Sequence, residues 1–306
     1  MKRNIIVAGM ALLFLSVAAW AEEKQEKQKI LVVAAEYPSL TSGALSKAKL
    51  ADLPEGVLLK TEDAEIKVES IDEQLKQVPE EMRKQLEKNK FFLLENAATE
   101  QLLLLAAKKT DKAKEDVEPR GAIQAYLKDI AARVEVSDEE VKSFYDENKA
   151  MVGGVPFEQV KAQIKQHVLQ QKQQELVEEH IRTLGDRMDI QVSRVWTEAQ
   201  AKLAMDTPVD KARASGKPSM IDFGAHGCGP CDMMTPILAD MENKYAGKAN
   251  VLFVPVREEQ ILGARYGIRS IPVQVFFDKD GKEIFRHSGF FPQEECEKWL
   301  KQAGGE

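Results

Sequence analysis

Cys228 and Cys231 are the two residues whose type and spacing can do chemistry. They lie in Asp222-Phe-Gly-Ala-His-Gly-Cys228-Gly-Pro-Cys231, and Ser270-Ile-Pro272-Val answers them further along the chain. Two thiols separated by two residues can pass between dithiol and disulfide, which is electron transfer by thiol exchange. Two other uses of such a pair compete with this. A zinc site needs four ligands, and with three cysteines in the chain and no His-x(3–5)-His pair the set is incomplete. A purely structural bridge across two residues closes a small loop and removes little chain entropy.

The chemistry depends on what positions the pair. Met220 to Phe223 reads as a buried strand ending at Gly224 and Ala225, and Asp232 to Tyr245 reads as a helix. Cys228 then stands at the helix N-terminus, where unpaired N–H groups and the macrodipole favour thiolate. That makes Cys228 the nucleophile and Cys231, one turn inside, the resolving thiol. Asp222 lies within an apolar strand, where a carboxylate is costly without a purpose. His226 reads as a solvent-facing loop residue, with a partner to the thiolate as the alternative. Cys296, in Gln293-Glu-Glu-Cys-Glu-Lys-Trp299-Leu300, shares a helical face with Trp299 and Leu300 and reads as a small buried hydrophobe, with pairing between chains as the other use of an odd thiol.

Ile221-Asp-Phe-Gly-Ala…Cys-Gly-Pro-Cys, Tyr266-Gly-Ile-Arg-Ser-Ile-Pro272, Phe276-Phe-Asp-Lys-Asp-Gly281-Lys and Gly289 resemble the thioredoxin family over the last third of the chain. The resemblance implies an α/β thioredoxin fold with a redox-active disulfide, Cys228–Cys231, as its only redox group, with no cofactor and no metal. It implies that Asp222 relays protons to the resolving thiol and that Pro272 is a cis-proline facing the disulfide. Ile271 would offer its backbone to substrate, Gly289 would lie in a substrate-contact loop, and Gly229 and Pro230 would complete the substrate-facing turn. The chain also departs from the family. Gly227 replaces the usual tryptophan, an apolar residue near Phe253 replaces the lysine often paired with the buried acid, and His226 is added.

Lys2 and Arg3 precede an apolar stretch from Ile5 to Ala19 that closes with Ala19-Trp20-Ala21 before Glu22. This is the layout of a secretory signal peptide cleaved after Ala21. The stretch is shorter than the ~20 apolar residues of a membrane span. The expectation is an exported, periplasmic protein in a disulfide-permissive compartment. Glu22 to Lys29 reads as a polar leader. Charged residues at 30% and aromatics at 7% describe a helix-rich soluble chain rather than a disordered one. A net charge of −7 without a basic stripe argues against nucleic acid as a partner.

Between Ile66 and Val195 the apolar residues fall at helical spacing. Ser70 is placed to cap a helix carrying Ile71 and Leu75, Pro79 to open one running from Met82 to Leu105, and Pro119 another with Ile123 and Ile130. Ser137-Asp-Glu-Glu140 is a capping box. Phe157 to Leu184 continue the pattern until Gly185, and Ile190 to Val195 alternates like a strand that pairs with Gly56 to Lys60. Glu65-Ile-Lys-Val-Glu-Ser70, Val136-Ser-Asp-Glu-Glu-Val-Lys-Ser-Phe-Tyr145-Asp-Glu-Asn-Lys149 and Val155-Pro-Phe157-Glu-Gln-Val160-Lys resemble SurA-like, PpiC-type periplasmic folding factors. In those, a parvulin domain often separates the last two segments; here only Ala150 to Gly154 does. The resemblance implies a client-binding helical scaffold without the isomerase. A bundle serving only dimerisation is the alternative.

The expected architecture is multidomain. Residues 1–21 form a signal peptide, 22–196 a mostly α-helical chaperone-like module, 197–206 a connecting segment and 207–306 a thioredoxin-like domain. The expected function is that of a periplasmic protein disulfide reductase or isomerase, working on unfolded or disulfide-bonded clients held by the helical module. Gly-Pro between the cysteines is the thioredoxin dipeptide, and thioredoxin's own potential, about −270 mV, is reducing. Without a Gly-rich dinucleotide fingerprint, the expected electron source is a membrane thiol donor of the DsbD kind. Assembly into a homo-oligomer through the helical module stays open. The rival reading is a chaperone or assembly factor whose thioredoxin fold is mainly a docking surface.

Overall fold

Four short strands build a first sheet in the computed structural model, which describes residues 30–110, 117–149 and 152–305. The signal sequence and leader expected over residues 1–29 lie outside them. After a short helix α1 (Val33–Glu36) come β1 (Lys49–Ala51), β2 (Val57–Lys60) and β3 (Glu65–Lys67), joined much later by β4 (Gln191–Ser193). The order is β1-β4-β2-β3, with β1 and β4 parallel and the other pairs antiparallel. Leu59 pairs with Val192 and Lys60 with Gln191, the pairing expected from the alternation. The strand stops at Ser193, whose hydroxyl accepts the amide of Trp196 and opens helix α8 (Arg194–Ala204).

Three helices cover this sheet: α2 (Val68–Gln77), α3 (Glu80–Glu87) and α4 (Lys90–Lys108). Ser70 does not cap α2. The helix begins after Lys67, and Ser70 donates its hydroxyl back to the Lys67 carbonyl at 2.8 Å. The single helix expected after Pro79 is two, because Asn89 leaves helical geometry (φ −129°, ψ 40°) and its amide donates to the Gln85 carbonyl. A short polar side chain competing for backbone partners is a recurrent way to break a helix. Ile71, Leu94, Val192 and Phe91 fill the core beneath, and Phe91 stacks on Trp196 with ring centroids 6.2 Å apart.

Helices α5 (Pro119–Ala131), α6 (Asp138–Glu147) and α7 (Phe157–Arg187) follow. The capping box forms as expected: Glu140 N–H donates to Ser137 Oγ, and Ser137 N–H donates to the Glu140 carboxylate. Val136, Val141, Ile164 and Val168 bury a small cluster between α6 and α7. α7 has 31 residues, about 46 Å at 1.5 Å per residue. It runs through Gly185 rather than stopping there. Gly185 instead permits a close approach, since a Cβ would fall on the Ala44 carbonyl oxygen.

The second sheet contains β5 (Ser219–Gly224), β6 (Asn250–Pro255), β7 (Val273–Phe277) and β8 (Glu283–Ser288), in the order β6-β5-β7-β8. β5 and β6 are parallel, so a crossover is needed, and α10 (Gly229–Lys244) supplies it; the other pairs are antiparallel. Every residue of β5 is buried because both faces are covered. Ile221, Phe223, Val275 and Phe277 pack on one side with α9 (Pro208–Arg213) and α11 (Gln260–Arg265). Met220 and Phe276 pack on the other with α10 and α12 (Gln293–Gln302), where Cys296 and Leu300 are fully buried.

Residues Val32–Glu306 form one compact unit. α8 belongs to the first core and α9 to the second, so the change of core falls at Met205 to Thr207. Arg265 of α11 joins the two sides. It donates to the Ser39 and Ala204 carbonyls and pairs with Asp210, which also accepts from Ser39, Thr207 and Tyr266. A buried ion pair holds only when its remaining donors and acceptors are satisfied, as they are here. Gln85 donates to the Glu258 carbonyl at 2.6 Å, and Arg269 pairs with Glu178 of α7 at 2.9 Å.

Candidate redox site

β5 delivers the chain to the site and Gly227 turns it. Its φ of +74° lies in the left-handed region, which a side chain such as the family's tryptophan would strain. Cys228 is the N-cap residue of α10 in extended conformation, Gly229 and Pro230 form the first turn, and Cys231 follows inside it. The two sulfurs are joined as a disulfide, with Cα atoms 5.2 Å apart. Cys228 is half-buried and Cys231 is 3% exposed. A partner disulfide can therefore reach Cys228, at the end of the helix where the macrodipole favours thiolate, far better than Cys231.

Asp222 is fully buried on the face of β5 that looks toward α10 and α12. Burial pushes its carboxyl up to about 6, against the pull of a hydrogen bond from Gln274 Nε2 to Oδ1 at 2.7 Å. Its other oxygen, Oδ2, has no hydrogen-bond partner among the described residues. Gly224 marks the ground between acid and thiol. A Cβ there would stand 3.3 Å from Asp222 Oδ2, 3.4 Å from Cys231 Cβ and 2.8 Å from the Phe253 ring. Phe253 is the register partner of Asp222 on β6, at the position where an apolar residue was expected in place of lysine. Its ring lies 5.5 Å from that of His226, an exposed loop residue whose carbonyl accepts from Arg257.

The Ile271–Pro272 peptide bond is cis. Gly289 N–H donates to the Pro272 carbonyl at 2.8 Å, which brings the glycine beside this loop. Cys296 is sealed in the core, with its thiol pushed up to about 12 by burial and, next, by the Asp222 charge. Sequence reading missed Gln274. The signal was available: a polar residue inside the apolar run Val273–Phe277, the same anomaly that singled out Asp222. It also could not place the cleft of about 650 Å³ that flanks the cis-proline loop. Phe92 and Glu95 of α4 and Gln171, Gln174 and Glu178 of α7 form one wall, and Arg269, Ser270 and Val273 form the other.

Residues 205–304 match the family model described as thioredoxin-like domain. Thioredoxin of Staphylococcus saprophyticus is 40% identical over 76 residues, which are 25% of this chain and 72% of that protein. The chain belongs to the thioredoxin family. Staphylococcus epidermidis thioredoxin is 38% identical over 89 residues, 29% of this chain and 84% of the relative. Among solved structures, thioredoxin NaTrxh from Nicotiana alata is 27% identical, with 31% of this chain and 80% of that one covered and a TM-score of 0.29. Fasciola hepatica thioredoxin is also 27% identical, with coverage of 29% and 82% and a TM-score of 0.27. The thioredoxin domain carries a thiol:disulfide oxidoreductase site.

Proposed function

We propose that this thioredoxin-family chain is an exported protein disulfide reductase or isomerase whose helical module holds its clients. The observation that carries the chemistry is the pairing of an accessible Cys228 at a helix N-terminus with a buried Cys231 beside Asp222. Cys228 thiolate attacks one sulfur of a client disulfide, that bond breaks, and the departing client sulfur takes up a proton. Cys231 gives its proton to Asp222 and attacks Cys228 Sγ. The mixed disulfide breaks, the client leaves reduced by two electrons, and Cys228–Cys231 ends as the disulfide. Ile271, Pro272 and Gly289 are the proposed client-contact edge, with Gly229 and Pro230 flanking the attacking sulfur.

The cleft between α7 and the cis-proline loop supports a client-holding role, since it is walled by the helical module and by Arg269, Ser270 and Val273, which flank the proposed contact edge in sequence. The resemblance of that module to SurA-like factors points the same way. Export to the periplasm rests on the expected signal peptide, and a membrane thiol donor of the DsbD kind would restore the dithiol. The test is reduction of a disulfide-bonded unfolded protein by the reduced full chain, with Cys228→Ser as the inactive control. A second reading, a chaperone that uses the thioredoxin fold for docking, is favoured by one observation: the Arg265 network joins the two halves without any residue of the redox site. Client holding and cellular role retained by a Cys228→Ser/Cys231→Ser variant would support it.

A further inference from the structure

Phe253, Asp222, Gln274 and His287 occupy one row across β6, β5, β7 and β8. Residues directly opposite one another on neighbouring strands share a face and interact. Gln274 is 0% exposed, and a buried carboxamide is costly unless it is used. One of its atoms is used: Nε2 donates to Asp222 Oδ1 at 2.7 Å, while Gln274 Oε1 and Asp222 Oδ2 have no partner among the described residues. On the opposite side Phe253 brings an aromatic ring to Gly224 and no charge. The groups that face Asp222 are Cys231 on α10, which carries a thiol only once the disulfide is reduced, and the Cys296 thiol on α12, with His287 one strand beyond Gln274. The Gln274 amide is what favours the ionised carboxyl against burial.

We propose that Gln274 is a positioning residue for thiol exchange: its amide ties Asp222 Oδ1 to β7 and leaves Oδ2, on the Gly224 and Cys231 side, as the oxygen that takes and returns the Cys231 proton. This rests on the reading of Asp222 as the proton relay. Both oxygens of a free carboxylate are equivalent acceptors. Here one is occupied by a neutral donor, and the other is within reach of the space beside Cys231 that the absence of a Gly224 side chain keeps open. The amide takes over, from the far side of the acid, part of what a cation would do at the Phe253 position. Being neutral, it supports the carboxylate less strongly than a cation would.

The test uses the full chain and the pH dependence of its reduction of a small disulfide. In wild type the rate should carry a limb that Asp222→Asn removes. Gln274→Met, close to isosteric but without a donor, penalises the ionised carboxyl and should move that limb upward by about one to two pH units. Adding Phe253→Lys at that half-open position should bring it back down. An unmoved limb in Gln274→Met overturns the proposal. If Gln274→Met does not fold, wild-type NMR decides: the Gln274 side-chain amide signals should shift with the midpoint of the Asp222 carboxyl, and signals indifferent to that titration overturn it. Unchanged turnover in Asp222→Asn, with an amide that still follows the carboxyl, would instead sink the relay reading and leave the hydrogen bond as structure.

Discussion

Arg265 and Asp210 form an ion pair, 3.3 Å apart, whose side chains are 2% and 4% exposed, at the place where the helical half and the thioredoxin domain meet. Removing one partner of such a pair leaves an uncompensated buried charge, which costs about 3–5 kcal/mol. Arg265→Met should therefore lower the stability of the full chain by that order in denaturant titration. A loss below about 1 kcal/mol, the scale of an exposed pair, would mean that Asp210 is served adequately by Ser39, Thr207 and Tyr266 alone.

The second expectation concerns the order of attack. Cys231→Ser should accumulate mixed disulfides through Cys228, visible as slower bands on a non-reducing gel. Cys228→Ser should trap none, because Cys231 is 3% exposed. Equal trapping by both variants would contradict the assigned roles.

Asp222→Asn should slow turnover at neutral pH and stabilise the fold. Burial holds the carboxyl at about 6 against an ordinary 3.8, so the folded state retains a proton that the unfolded state releases. Stability thus falls as pH rises from about 4 to about 6, and the deficit persists above that window. The asparagine variant lacks this penalty. It should be more stable by about 3 kcal/mol at pH 8 and show no advantage below about pH 4. An advantage that is constant with pH would have another origin.

The cleft beside the cis-proline loop gives a prediction that separates the halves. Gln171→Trp with Gln174→Trp, both on its α7 wall, should slow reduction of an unfolded disulfide-bonded protein several-fold and leave a small disulfide unaffected. Equal rates on the protein substrate would make the helical half a dimerisation or localisation element.

The redox loop was legible in the sequence because its chemistry is local. A strand, a turn and a helix N-terminus put Cys228 and Cys231 where spacing alone placed them, and Ser137 with Glu140 fixed a helix start in four residues. Asp222 showed itself as a charge in an apolar run. What stayed hidden is tertiary. β1 and β3 have three residues each, too few for an alternating pattern. The end of α3 depends on Asn89 choosing the Gln85 carbonyl, and Gly185 answers to Ala44, far away in sequence. Arg265 reads as one more surface cation of a helix until Ser39, Ala204 and Asp210 surround it. Gln274 was visible as an anomaly, yet its use appears only when β7 is laid against β5.

Whether this chain is a reductase or isomerase is decided by the equilibrium redox potential of the Cys228–Cys231 pair in the full chain, measured against glutathione. A reductase or isomerase site of thioredoxin type should equilibrate freely and settle toward the reducing end, near the thioredoxin value of about −270 mV. A pair that fails to exchange with glutathione, or one poised near about −120 mV with the strong oxidants, would contradict it.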